Sequence, residues 1–226
     1  MTRARAVAAI LLTCALGTVV QAAEAARAED SARVEIAGPS EESAVPAALR
    51  ALLADAGMRV VLDGKPAIEL WLPKHIPEAT GDLGKLGVVY PYLPEGTLVG
   101  VARFHDRWLD FRGKPVPAGT YTLRYSIQPT DGNHSGVSDF RDYLVLVPAS
   151  ADPGERVVAD VKALMALGKK ATGTNHPAVM SLVPPPKEAK APSVVAGPRD
   201  LVTLIAACGE RTLGIVVRGK VETENE

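Results

Sequence analysis

Alternation of apolar and polar residues is the dominant pattern in this chain, and it is clearest at residues 120–128. Apolar Tyr121, Leu123, Tyr125 and Ile127 alternate there with polar residues, as in a strand that has one face in a core and the other in water. Shorter apolar runs, bounded by turn-forming residues, predict the remaining strands. These runs lie at 58–62, 67–72, 97–104, 108–111, 143–147, 178–183, 201–208 and 212–217.

Two other segments have the apolar spacing of an amphipathic helix. Four apolar residues share one face of a helix predicted at 43–56, and a second helix is predicted to start at an Asp152 cap and to end at Gly168. About nine strands, two helices and no alternating strand–helix pattern predict a mainly β fold. We therefore expect an antiparallel β-sandwich, immunoglobulin-like or related, with about two decorating helices.

The N-terminus has the layout of a secretory signal peptide. Arg3 and Arg5 precede an apolar run at 6–20, and small-residue cleavage patterns follow at 20–25. A signal peptide at 1–25 predicts an exported protein, in the periplasm or the extracellular space. The expected domains are a flexible N-terminal segment plus helix at 26–57 and a single β-sandwich domain at 58–226, with a Pro-rich spacer at 184–192. After signal cleavage, no apolar stretch approaches the roughly 20 residues of a membrane span.

Composition narrows the picture further. Hydrophobic residues make up 47% of the chain but aromatic residues only 4%, so aliphatic side chains are expected to fill the core. The net charge is −1 and no long basic run is present, which argues against nucleic-acid binding. Cys14 lies in the predicted signal peptide, and Cys208 stands in an apolar run. We expect Cys208 to be a buried, unreactive thiol.

Histidines supply one candidate site. His134 and His176 each follow an asparagine in a turn-like sequence. If their loops meet at one end of the sandwich, two imidazoles and a carboxylate such as Asp131 would suit Zn²⁺, Cu²⁺ or non-haem iron. The histidines do not have the spacing of a short-range ligand motif, and the alternative is that each one stabilises its own loop. A divalent metal ion is the one cofactor that the sequence suggests.

A second candidate site involves aromatic and charged residues that suit ligand binding. Tyr90 and Tyr92 lie in an irregular Pro- and Gly-rich segment at 73–96, where their rings would stack on a sugar; the alternative is that they plug an end of the sandwich. Arg141 and Asp142 precede an apolar strand, and a bidentate Arg would hold a carboxylate or a sugar hydroxyl. The predicted partner is a protein or a glycan.

Four short segments carry a resemblance to known proteins: PAGTYTLRY at 117–125, DGNH at 131–134, RD at 141–142 and GTNHP at 173–177. Together they resemble a group of uncharacterised exported bacterial β-sandwich proteins, over roughly residues 95–183. The resemblance implies export and a sandwich fold. It implies no catalytic residue, since that group has no assigned activity.

The sequence contains no nucleophile elbow, phosphate-binding loop or dinucleotide fingerprint. We therefore expect a soluble, exported β-sandwich protein that acts as a binding or interaction module. Its working surface would be the loops at 73–96, 129–141 and 171–177. The alternative is a metalloprotein, or a metalloenzyme, that uses His134 and His176 as ligands.

Overall fold

The computed structural model describes residues 32–79, 87–110, 113–130, 140–198 and 200–219. Within these ranges the protein is mainly β, with antiparallel strands and two helices, which confirms the predicted mainly β, antiparallel class. The strands are β1 (Ala32–Ala37), β2 (Gly57–Leu62), β3 (Lys65–Trp71), β4 (Leu98–Phe104), β5 (Trp108–Leu109), β6 (Pro115–Val116), β7 (Gly119–Ile127), β8 (Asp142–Pro148), β9 (Val179–Val183), β10 (Ser193–Ala196), β11 (Val202–Cys208) and β12 (Arg211–Arg218).

Ten of these strands form one sheet that nearly closes into a barrel. Their order is β1-β2-β3-β4-β7-β8-β9-β12-β11-β10, and the two outermost strands, β1 and β10, lie in contact without pairing in a ladder. Inward-facing side chains from across the sheet form one large core cluster. Leu123, Leu144, Leu204 and Ile215 in this cluster have no exposed surface. The interior is therefore filled by the protein's own side chains, and a ligand has to bind at the outer surface or at an end of the barrel.

The helices pack on the outside of the sheet and differ in extent from the prediction. Helix α1 (Ala47–Arg50) is only four residues long, because the chain leaves it to hydrogen-bond with the end of β3, from the Ala54 N–H to the Leu72 carbonyl. The apolar face was predicted correctly, since its residues pack together on the outside of β3 and β4. The face comprises Val45, Leu49, Leu52 and Leu53.

Helix α2 (Val161–Thr172) starts eight residues later than predicted, at an Asp160 cap that accepts hydrogen bonds from two backbone N–H groups. It also continues past Gly168 and ends at Gly173, which has a left-handed φ of 66°. Gly168 is needed inside the helix because a Cβ there would lie 2.4 Å from Val145 of β8. The glycine marks a close approach of helix and sheet rather than a helix end.

The N-terminal part of the chain is more ordered than the sequence indicated. Strand β1 lies within the segment 26–57 that was expected to be flexible apart from a helix, and it pairs along its whole length with β2. The sheet therefore crosses the boundary expected between 57 and 58. The backbone of this strand pairs with β2, which begins 20 residues after β1 ends, and a partner distant in sequence has no local signature.

Different structures cover the two ends of the barrel. At the Arg218 end of β12, the β5–β6 hairpin carries Trp108, which stacks on Phe104 and donates a hydrogen bond to the Val217 carbonyl. At the Arg211 end, the irregular excursion between β3 and β4 packs Tyr90 and Leu93 onto the core cluster. The excursion thus sets the shape of the barrel end that carries the predicted ligand-binding tyrosines.

Candidate functional site

A single buried carboxylate holds the second limb of the excursion, residues 87–96, against the sheet. Asp142, the first residue of β8, accepts hydrogen bonds from the backbone N–H groups of Val89, at 2.7 Å, and Tyr90, at 2.9 Å. The Tyr125 hydroxyl donates to the same side chain at 2.8 Å. Asp142 is 1% exposed. Its carboxylate oxygens accept hydrogen bonds from these internal donors, so Asp142 positions the limb and does not reach a ligand at the surface.

Tyr90 fixes the same limb to the other half of the barrel. Its hydroxyl donates to the Val183 carbonyl at 2.6 Å and accepts from the Gly214 N–H at 2.8 Å, which bridges β9 and β12. The residue is 2% exposed. This corrects the ligand-binding role predicted for Tyr90, because its ring plugs the barrel end and both functions of its hydroxyl are used.

Tyr92 lies two residues further on and is half-buried. Its ring meets the Tyr90 ring edge-on, with centroids 6.1 Å apart, and the Arg211 guanidinium lies 4.5 Å from its centroid. Arg211 also forms two 3.0 Å hydrogen bonds with the Glu78 carboxylate. We call Glu78, Tyr92 and Arg211 the rim surface. It combines an aromatic ring, a cation and an anion at the edge of a packed barrel end.

The charge states of these groups are fixed over the ordinary pH range. Burial raises the pKa of Tyr92 to about 12, with Arg211 opposing the shift. Burial also raises the pKa of Tyr90 and Tyr125, and nearby Asp142 adds to both shifts. The hydrogen bond from Arg211 lowers the pKa of Glu78. The tyrosines therefore remain protonated donors, and Glu78 stays an anion beside its guanidinium.

Arg141, the fourth predicted ligand-binding residue, contacts the ends of neighbouring segments. Its side chain donates to the Gln128 carbonyl at 2.8 Å, and its backbone N–H donates to the Gly87 carbonyl at 2.9 Å. The residue is partly exposed. These contacts hold Gly87, at the start of the described second limb, beside the end of β7. Arg141 and Tyr92 are the predicted ligand-binding residues that have exposed surface.

Cys208 lies beneath the rim surface and is a free, buried thiol. Its Sγ donates to the Pro73 carbonyl at 2.8 Å, and burial raises its pKa to about 11. The thiol therefore carries very little thiolate at neutral pH. This agrees with the expectation of an unreactive, structural cysteine.

The predicted metal site remains a prediction. His134 and Asp131 lie outside the described residues. His176 is exposed in the turn after α2, where its backbone N–H and carbonyl bond to threonine hydroxyls. In the part of the chain that the structure describes, no group of three His, Cys, Asp or Glu side chains is placed to hold a metal ion.

Two rim residues were not predicted from the sequence. Glu78 lies in the irregular segment and Arg211 begins β12, 133 residues later. Neither residue belongs to a motif, and their pairing depends on how β11 and β12 sit against the excursion. The one available signal was the position of Arg211 in the short interval between the strands predicted at 201–208 and 212–217, since hairpin ends lie at the edge of a sheet.

Comparison with known proteins gave no match to a protein-family model, to a curated protein or to a solved structure. The resemblance to exported β-sandwich proteins therefore stays a prediction. No helix within the described ranges is long and apolar enough to cross a membrane.

Proposed function

We propose that this protein is an exported binding module that recognises a protein partner through the rim surface. The observation that carries the proposal is the half-buried Tyr92 ring, held on a rigid base with the Arg211 guanidinium beside it. Tyr and Arg are enriched at protein interfaces and contribute strongly to binding. Because Tyr90 and Asp142 fix the backbone under Tyr92, little conformational entropy is lost on binding.

A protein partner is favoured over a glycan by the geometry of the ring. Sugars bind to tyrosine by stacking on an open ring face. In this structure Arg211 lies over the Tyr92 ring and Tyr90 meets it at an interplanar angle of 85°. The exposed groups are thus a ring partly covered by a guanidinium and an ion pair, which suit the polar and aromatic contacts of a protein interface better than they suit sugar stacking.

A photo-crosslinking residue at Glu210, beside the rim surface, is expected to capture a partner that the same residue at Asp63 does not. Asp63 is a matched control because it is exposed at the other end of the barrel. The captured protein, once purified, should bind the wild-type chain, and Tyr92→Ala and Arg211→Ala should each raise Kd at least about fivefold. Arg218→Ala should change Kd less than about twofold, as is usual for a residue outside an interface.

The same experiment tests the alternatives. Identical crosslinks from both positions would rule out the rim surface as the binding site. A captured protein whose Kd does not change in Tyr92→Ala and Arg211→Ala would rule it out as well. A glycan array run beside it distinguishes the other ligand class. Glycan binding that is lost in Tyr92→Ala, with no protein captured, would replace the protein partner by a sugar.

Export is tested by the mass of the mature protein. The two cleavage patterns predict a mature chain that begins at Ala23 or Ala26. We expect protein recovered outside the cytoplasm to have the mass of one of these two mature chains. When both Ala22 and Ala25 are replaced by Arg to block cleavage, we expect the full-length mass. Wild-type protein that keeps its full-length mass and stays in the cytoplasm would contradict export.

A further inference from the structure

The two limbs of the excursion are attached to the barrel in different ways. The second limb is tied by buried groups: Asp142 binds two of its backbone N–H groups, and Tyr90 bridges two strands. The first limb, residues 74–79, is tied mainly at the surface. Contacts between buried groups resist local opening far better than contacts between exposed groups. The first limb is thus the easier one to release.

Each fixed point of residues 74–79 is exposed or isolated. Lys74 pairs with Asp55 and Glu78 with Arg211, and all four side chains are about half exposed or more. The backbone of residues 75–79 makes further contacts: the Ala79 N–H donates to the Tyr92 carbonyl at 2.7 Å, and the His75 carbonyl accepts from the exposed Arg156 side chain at 3.0 Å. The half-buried side chain of Ile76 packs against the core cluster. Exposed ion pairs contribute little to stability and are weakened by salt.

We propose that residues 74–79 form a lid over Tyr92 and Arg211, which the Glu78–Arg211 ion pair holds closed. The hinge is at Lys74, whose N–H bonds to the Leu52 carbonyl. Glu78 occupies the guanidinium fork of Arg211. If the rim surface binds a protein as proposed above, a carboxylate of that partner that pairs with the same Nε–Nη2 edge of Arg211 has to displace Glu78 and release the lid. Glu78 is then an internal competitor for the binding site.

Hydrogen exchange of the Ala79 amide in the isolated protein tests the lid without a partner. Arg211→Gln is expected to lower the protection factor of this amide about two- to fivefold, the ratio that corresponds to losing an exposed ion pair. Glu78→Gln should act in the same direction, and added NaCl should lower protection in the wild type more than in Arg211→Gln. The Tyr90 amide, held by Asp142 in the second limb, should keep its protection throughout.

Arg218→Gln is the matched control, since Arg218 forms a comparable exposed pair with Asp63 at the opposite end of β12. It should leave the Ala79 amide unchanged. Protection at Ala79 that is insensitive to Arg211→Gln would overturn the lid. So would loss of protection at Ala79 and Tyr90 together, because the excursion would then open as a whole. Failure of the crosslinking experiment would leave this result intact, so the two proposals fail separately.

Discussion

We expect Asp152→Ala to lower the free energy of unfolding by about 3–5 kcal/mol, because it leaves a buried guanidinium without its counter-charge. The side chains of Arg124 and Asp152 have no exposed surface, and they share hydrogen bonds of 2.6 and 3.0 Å. Thr122 and the Gly154 N–H donate to the same carboxylate. Urea unfolding, followed by the fluorescence of Trp71 and Trp108, measures the loss.

A double variant separates the buried charge from the packing around it. Arg124→Met combined with Asp152→Ala removes both partners of this buried ion pair, and it should recover at least about half of the stability lost in the single variant. If Asp152→Ala does not fold, recovery of folding in the double variant still tests the prediction. A loss below about 1 kcal/mol in the single variant would show that Arg124 finds sufficient partners in the backbone carbonyls of Gly96 and Arg156.

This ion pair also shows why parts of the fold could not be predicted from the sequence. Asp152 was interpreted as a helix cap because acidic residues commonly start helices. Its carboxylate instead binds Arg124, which looked like a solvent-facing residue in the alternating strand β7. The periodicity of the sequence indicates that the outer face of β7 is polar, but it does not indicate whether that face is exposed. In the structure a later segment of the chain covers it. Pairing between residues distant in sequence decided the role of both side chains.

Prediction succeeded where local pattern and final environment agree. The alternation at 120–128 predicted β7 to within one residue at each end, and the two closing strands were also found. Strands β1 and β10 were missed because they are short edge strands, held by one neighbour each. Of the three rim residues, Tyr92 was singled out from the sequence, by its residue type and its irregular surroundings. Arg211 and Glu78 were not, because only the closed sheet brings them to the same rim.

The second large effect is expected from Asp142→Ala, at about 3 kcal/mol of lost stability. The substitution leaves the backbone N–H groups of Val89 and Tyr90 without their acceptor and the Tyr125 hydroxyl with the Tyr90 carbonyl at 3.2 Å. Each unsatisfied buried donor costs about 1–3 kcal/mol before water or local rearrangement compensates. Asp142→Asn keeps one acceptor oxygen and should lose roughly half as much by the same reasoning. Urea unfolding of both variants gives the comparison.

Tyr125→Phe completes the series, because it removes one of the three donors and leaves the Asp142 carboxylate in place. We expect the order Tyr125→Phe, Asp142→Asn, Asp142→Ala in increasing loss of stability, with the first at about 1 kcal/mol. Equal losses in all three would contradict a role for Asp142 as a shared acceptor and would assign the effect to the hydroxyl of Tyr125 alone.

The same series connects stability to the rim surface. Asp142 is 1% exposed and cannot touch a partner, yet it holds the backbone that positions Tyr92. Asp142→Asn should therefore weaken partner binding through the position of Tyr92, while Tyr125→Phe, which keeps both backbone hydrogen bonds to Asp142, should leave the affinity nearly unchanged. Equal affinities in Asp142→Asn and the wild type would mean that Tyr92 keeps its place without this carboxylate, and that its contacts with Arg211 and Tyr90 orient the ring.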